Sequence, residues 1–123
     1  TGIDITYEKS GHPYPVDSSA AIHIYRVLQE ALNNVARHSG AREAWVRLRF
    51  QPDSLQLEIE DHGKGLNSDA SAATAKTKPG MGLVAMRERA ELLSATIELL
   101  RLPQNGTLVR LQVPKERLEP HAP

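Results

Sequence analysis

The chain has 123 residues, 40% of them apolar, which suits one domain with a single modest core; with aromatics at 4%, that core must be mainly aliphatic. Fifteen basic and fifteen acidic residues cancel, and no run of like charge gives the footprint of a nucleic-acid or anionic-membrane binder. The lack of cysteine excludes disulfides and thiolate metal sites, and no apolar run reaches membrane-spanning length or resembles a secretory signal.

The chain opens on Thr1 rather than Met, so it reads as a segment of a longer protein. Ile3 to Glu8 alternates apolar and polar residues, which predicts a half-buried strand, broken by Gly11, Pro13 and Pro15. Asp17 and Ser18 are N-cap residues for a long helix in which Ile24, Leu28, Ala31 and Val35 recur at helical spacing, with Leu32 widening the stripe. That helix should end near His38, ahead of Gly40. Glu43 to Phe50 and Ser54 to Asp61 alternate and are joined by Pro52-Asp53, which predicts a hairpin. Residues 66 to 79 are small and polar and read as a mobile loop, of a length that is functional or disordered in a compact domain. A helix from about Gly82 to Ser94 follows, then a strand "TIELLRL", a turn at Gln104 to Gly106 and a last strand "TLVRLQV". The tail "KERLEPHAP" reads as frayed, so the expected division is a domain over 1–115 and a tail over 116–123. This order predicts an α/β (α+β) two-layer sandwich: a mixed, mostly antiparallel sheet with helices on one face.

Three polar constellations stand out. "GMGLVA", from Gly80 to Ala85, fits the loose dinucleotide fingerprint, but no buried strand runs into Gly80 and the strands after the helix read as antiparallel, which disfavours a Rossmann unit. No P-loop pattern occurs either. Glycines at a helix start still admit a phosphate to free N–H groups and a positive dipole end, and Ala85 is expected to face the core. In "RVLQEALNNVARH", Glu30 and Asn34 are four apart on one helix face, with Arg37 a turn further on. This is either a solvated face or a carboxylate, an amide oxygen and a cation aimed at a charged ligand; an amide oxygen and water suit Mg²⁺, and Arg suits phosphate. In "DHGKGL", Asp61 ends a strand and Gly63 and Gly65 follow. This is either a turn capped by Asp61 or a carboxylate that accepts from an exocyclic amine, beside glycines that clear room for a flat ring. The second reading favours adenine over guanine, because guanine carries a carbonyl at the corresponding edge.

In this order the segments resemble the ATP-binding boxes of the GHKL superfamily of gyrase-type ATPases, Hsp90, MutL-type mismatch-repair ATPases and histidine kinases. "EALNN" resembles the N box, "DHGKG" the first glycine box, "GMG" the second and "GTLVRLQVP" the closing strand. "RVLQEALNNVARHSGA" with "GMGLVAMRERAELL" is similar to the catalytic domain of histidine kinases that pair with NarL-type response regulators, and the resemblance runs from Ile3 to Pro114. It implies the Bergerat fold with ATP and Mg²⁺ bound. Asn34 would coordinate Mg²⁺, Glu30 would polarise the nucleophile or its water, and Arg37 and His38 would contact phosphate. Asp61 would take the adenine amine with Thr107 helping through water, and Gly63 and Gly65 would shape the pocket. Gly80 and Gly82 would hinge the lid and give backbone N–H groups to the phosphates, with Leu83 also in the ATP site.

The resemblance further implies phosphoryl transfer to a histidine on a separate dimerisation domain, then relay to a response-regulator aspartate. It implies a cytoplasmic, monomeric fragment without nucleic-acid or direct membrane contact, unable to autophosphorylate alone, from a parent that can be membrane-anchored. The loop lacks the phenylalanine box of other histidine kinases, and Lys76 and Lys78 read as solvated lid charges. His12, His23, His62 and His121 read as structural or surface residues. Three alternatives remain: a serine kinase of the anti-sigma-factor type, which shares these boxes but not "MRER" (Met86 to Arg89); a gyrase- or MutL-type clamp, which needs a transducer domain; and a non-catalytic nucleotide-binding module.

Overall fold

The structure is a computed structural model describing residues 3–63, 80–103 and 106–120, without the side chains of residues 38–39 and 80–82. Strands β1 (Asp4–Gly11), β2 (Glu43–Phe50), β3 (Ser54–Asp61), β4 (Thr96–Arg101) and β5 (Thr107–Pro114) form one sheet in the order β1-β2-β3-β5-β4. The β1–β2 pairing is parallel and the other three are antiparallel. Helices α1 (Ser18–Asn34) and α2 (Gly80–Leu92) pack on one face, which is the predicted two-layer sandwich.

Local chemistry sets the element ends. The Asp17 carboxylate accepts from Ser19 N–H at 3.1 Å and caps α1, as its sequence position indicated. At the other end the helix does not run on to His38 in α form. It widens into a π-turn over Val35–Ser39, closed by Gly40 at φ 71°. Gly11 sits at φ 86°, and a Cβ there would lie 2.0 Å from the Phe50 carbonyl oxygen, so only glycine lets β1 close on β2. The β2–β3 hairpin forms at the predicted residues, with Gln51 N–H donating to the Ser54 carbonyl at 2.9 Å. Helix α2 starts at Gly80, two residues earlier than expected.

The core is aliphatic. Val27 and Ala31 of α1 and Met86 and Ala90 of α2 bury against Val46, Leu57, Ile59, Val109 and Leu111 of the sheet. Val27 is fully buried although the sequence stripe did not include it. Three expectations fail. Ala85 is exposed, because Leu83, Met86 and Ala90 are the α2 positions turned inward. Strand β1 is exposed throughout rather than half-buried: Ile5 (51%) and Tyr7 (58%) share a sheet face with Ala44 and Val46, but the helical layer does not reach the edge strand. The tail is not frayed at its start. Lys115–Arg117 form a 3₁₀ turn, Lys115 N–H donates to the Asp53 carbonyl, and Leu118 is fully buried while its carbonyl accepts from Asp17 N–H at 2.7 Å.

The face of the sheet away from the helices is closed by charge. One register row reads Glu8, Arg47, Glu58, Arg110, Glu98 across all five strands, with alternating sign. Its centre, Glu58, is 4% exposed and accepts from Arg110 Nε and Arg49 Nη1, each at 2.8 Å. Such a carboxylate is tolerable in the sheet only because both its oxygens are matched.

Replacing Leu118 by alanine is expected to lower unfolding free energy by about 2–5 kcal/mol, while the same change at exposed Glu119 shifts it by less than about 0.5 kcal/mol. Urea titration measures both, and equal midpoints would contradict a docked tail.

Candidate functional site

Topology decides which predicted residues meet. Strand β3 ends at Asp61, which pairs with Ala44 near the start of β2 and with Thr107 at the start of β5. The chain leaves α1 and enters β2 within a few residues, so Asn34 and Arg37 come to this same end of the sandwich. Helix α2 delivers the chain to Thr96, which pairs with Gln112 at the far end of β5, and its 13 residues span about 20 Å. Its first residues, Gly80 and Gly82, are therefore at the Asp61 end, and α1 and α2 run antiparallel. His23, Glu30 and Asn34 lie on one side of α1 at seven- and four-residue spacing. His23 Nδ1 is 3.1 Å from Arg89 Nη1 of α2, so this side is turned toward α2. Glu30 and Asn34 are half-buried, whereas Arg37 is exposed on the π-turn, whose wider winding takes it off the α-helical spacing from Asn34.

Asp61 is the unusual group. It is 4% exposed and continues the inward-facing series Leu55, Leu57, Ile59. Its Oδ1 accepts from Gly63 N–H at 2.9 Å, the Asx turn that the sequence admits. Burial pushes its carboxyl above the usual range; the Gly63 bond and His62 counter this in part, and Glu60 adds to it. Thr107 is its register partner and shares its sheet face, half-buried. Gly106, just before Thr107, is packed so closely that a Cβ would lie 2.4 Å from the Asp61 carbonyl oxygen and 2.9 Å from Leu102 Cδ1. The sequence offered no sign of this beyond a glycine in a turn.

A second cluster, which sequence reading missed, backs Asp61 on the open face. His62 Nε2 is 2.6 Å from Glu60 Oε2, and its ring lies against Trp45 with centroids 4.6 Å apart. Arg47 Nη1 reaches Glu60 at 2.8 Å. Burial alone would raise the Glu60 carboxyl, but His62 and Arg47 hold it below the usual range. The pairing of a His two residues after a Glu on a strand exit was the available signal.

The Asp61 end of the sandwich thus presents a buried carboxylate with one hydrogen bond among the described residues, a helix side with a carboxylate and an amide, and the start of α2, whose first-turn N–H groups have no partner within the helix. That combination suits a ligand with an amine at one end and anionic groups at the other. Leu83 is half-buried against the core below that helix start. Gly65, the His38 side chain, Lys76, Lys78, the loop 66–79 and His121 lie outside the described residues, as does the Gln104–Asn105 part of the predicted turn. Among the described residues no group of three His, Cys, Asp or Glu side chains forms a metal cluster.

Because folding raises the Asp61 pKa, its contribution to stability is present at low pH and lost as pH rises through the raised value. Without ligand, Asp61→Asn is therefore expected to melt at or above the parent temperature at pH 7, with the difference shrinking below pH about 4. Thermal melts at the two pH values test this; a variant less stable at pH 7 by the same margin as at low pH would contradict it.

Comparison with known proteins agrees with this geometry. Residues 19–117 match the family model described as histidine kinase-, DNA gyrase B- and HSP90-like ATPase. The sensor protein VraS of Staphylococcus haemolyticus is 40% identical over 95 residues, 77% of this chain and 26% of that protein. VraS of Staphylococcus aureus (strain COL) is 39% identical over 92 residues, 75% of this chain and 25% of that protein. The chain thus spans about a quarter of the curated relatives it matches. Among solved structures, the ATP-binding domain of PrrB from Mycobacterium tuberculosis aligns with a TM-score of 0.68 at 18% identity, covering 93% of this chain and 81% of that one. The Acinetobacter baumannii histidine kinase AdeS aligns at 0.70 and 20% identity, covering 92% and 54%. These likenesses identify the sandwich as the Bergerat fold. The chain belongs to the family of histidine kinase-, DNA gyrase B- and HSP90-like ATPases.

Proposed function

We propose that this domain binds Mg·ATP and presents the γ-phosphate to a histidine on the dimerisation domain of a two-component sensor kinase, for relay to an aspartate of a NarL-type response regulator. The observation that carries the reading is the meeting, at one end of the sandwich, of buried Asp61, the Glu30–Asn34 side of α1 and the glycine-bearing start of α2. Asp61 accepts the adenine N6 amine, assisted by Thr107 on the same face, and Gly63 and Gly65 leave room for the ring. Asn34 holds Mg²⁺ through its amide oxygen, with the remaining positions filled by phosphate oxygens and water. Arg37, His38 and the N–H groups at Gly80 and Gly82 receive phosphate, and Leu83 closes the apolar floor. Glu30 polarises the attacking histidine or a water attached to it.

Phosphoryl transfer asks the protein mainly to position the reactants and to neutralise charge, which this residue set suits. In this reading residues 1–115 are the ATP-binding domain, 116–123 are its C-terminal tail, of which Leu118 is docked, and the domain works in the cytoplasm as a monomer. It needs the partner domain for autophosphorylation. The likeness to sensor proteins at 40% identity, together with "MRER", favours this over an anti-sigma-type serine kinase.

Calorimetry should detect Mg·ATP binding, with GTP much weaker. Asp61→Asn is expected to weaken ATP about tenfold through loss of a charged hydrogen bond of ~1.5–3 kcal/mol; equal binding of ATP and GTP by the parent would sink the Asp61 assignment. Asn34→Ala should abolish the Mg²⁺ dependence of binding, and unchanged metal dependence would refute its role. In the full-length kinase, Glu30→Gln is expected to leave ATP affinity near normal and slow transfer, so equal transfer rates would remove Glu30 from the chemistry.

A further inference from the structure

We propose that His62 is the positioning residue for adenine recognition: its anchorage on the open face of the sheet, to Glu60 and Trp45, fixes the turn that aims the Asp61 carboxylate into the sandwich. The proposal rests on the reading of Asp61 as the adenine acceptor and extends it to residues that never meet the nucleotide.

Asp61 Oδ1 receives the Gly63 N–H at 2.9 Å, so the hydrogen-bonded ring closes around His62, its central residue. The rotation of His62 about its backbone therefore sets where both the carboxylate and the first glycine point. His62 is not free to rotate. Its Nε2 is held by Glu60 Oε2 at 2.6 Å, and its ring lies on Trp45 at 4.6 Å with 40° between the planes. Glu60 is itself fixed by Arg47 at 2.8 Å, and Trp45 is its register partner on β2.

The third side is closed by Gly106. A Cβ there would lie 3.3 Å from His62 Cδ2 and 2.4 Å from the Asp61 carbonyl oxygen. The β3 exit is thus gripped between β2 and the β4–β5 turn, while the Asp61 side chain emerges on the opposite face. The clamp also answers an energetic difficulty: a carboxylate buried with one described hydrogen bond would otherwise gain by swinging out to water. Locking the central residue of its turn removes that escape and pre-organises the acceptor.

The test compares ATP with inosine triphosphate, which carries a carbonyl where ATP carries the amine. Calorimetry on this chain with Mg²⁺ and each nucleotide would use the parent, His62→Ala, His62→Gln and Asp61→Asn, with melting temperatures from the same samples. His62→Ala is expected to weaken ATP about three- to tenfold, the loss of one ordinary hydrogen bond. Inosine triphosphate should be left nearly unchanged, so the preference for ATP falls. His62→Gln, which can still donate to Glu60, should restore most of that preference. His62 is exposed, so neither variant should melt far from the parent. A merely structural role would weaken both nucleotides in proportion. An unchanged ATP preference in His62→Ala, alongside a collapsed one in Asp61→Asn, would overturn the proposal alone. A preference that survives Asp61→Asn would overturn the Asp61 reading and this proposal with it.

Discussion

Taking a carboxylate out of water costs free energy, and Asp61 carries that cost at the end of the central strand. The rest of the fold is arranged so that the strand cannot move to avoid it. β3 pairs on both sides along its whole length, buries Leu55, Leu57 and Ile59 under the helices, and is held on the open face by Arg49 and Arg110 at Glu58. The two buried carboxylates of this strand are treated in opposite ways. Glu58 has both oxygens saturated by arginine, which makes it a structural tie. Asp61 has one backbone donor among the described residues, which leaves capacity for a ligand amine. A buried carboxylate with a raised pKa marks a candidate binding group, and the amine of a nucleobase is the ligand proposed for it.

The helical layer completes the division of labour. α1 turns its apolar side to the sheet and the Glu30–Asn34 side toward α2, while α2 starts where α1 ends. The antiparallel arrangement brings the positive dipole end of α2 to the Asp61 end of the sheet; in the proposed reading the carboxylate takes the amine and the helix start the anionic groups. The His23–Arg89 contact lies toward the opposite end, so the helices are tied away from Asp61.

Much of this was legible in the sequence because period and punctuation are local. The β2–β3 alternation, Asp17 as a cap and the strand-ending Asp61 are read correctly from local pattern. What failed depended on distant neighbours. The alternation of β1 is real, but burial of Ile5 and Tyr7 needs a covering layer, and a helix layer two elements wide stops short of the edge strand. Leu118 reads as part of a polar tail until the N-cap of α1 is seen to bond its carbonyl. Ala85 was assigned by motif position, whereas helix phase turns it outward between Leu83 and Met86. The clamp around His62 needs Trp45 and Gly106, far from it in the chain, and only the register of the sheet unites them.

The central claim is that the Asp61 carboxylate, and not the helix side or the sheet edge, receives the base of a nucleotide. A crystal structure of this chain with Mg²⁺ and a non-hydrolysable ATP analogue tests that claim most directly. The account predicts the adenine amine within hydrogen-bond distance of an Asp61 oxygen, the ring beside Gly63 and the phosphates toward Asn34 and the start of α2. An adenine ring bound elsewhere, with Asp61 left in contact with Gly63 and water alone, would contradict it.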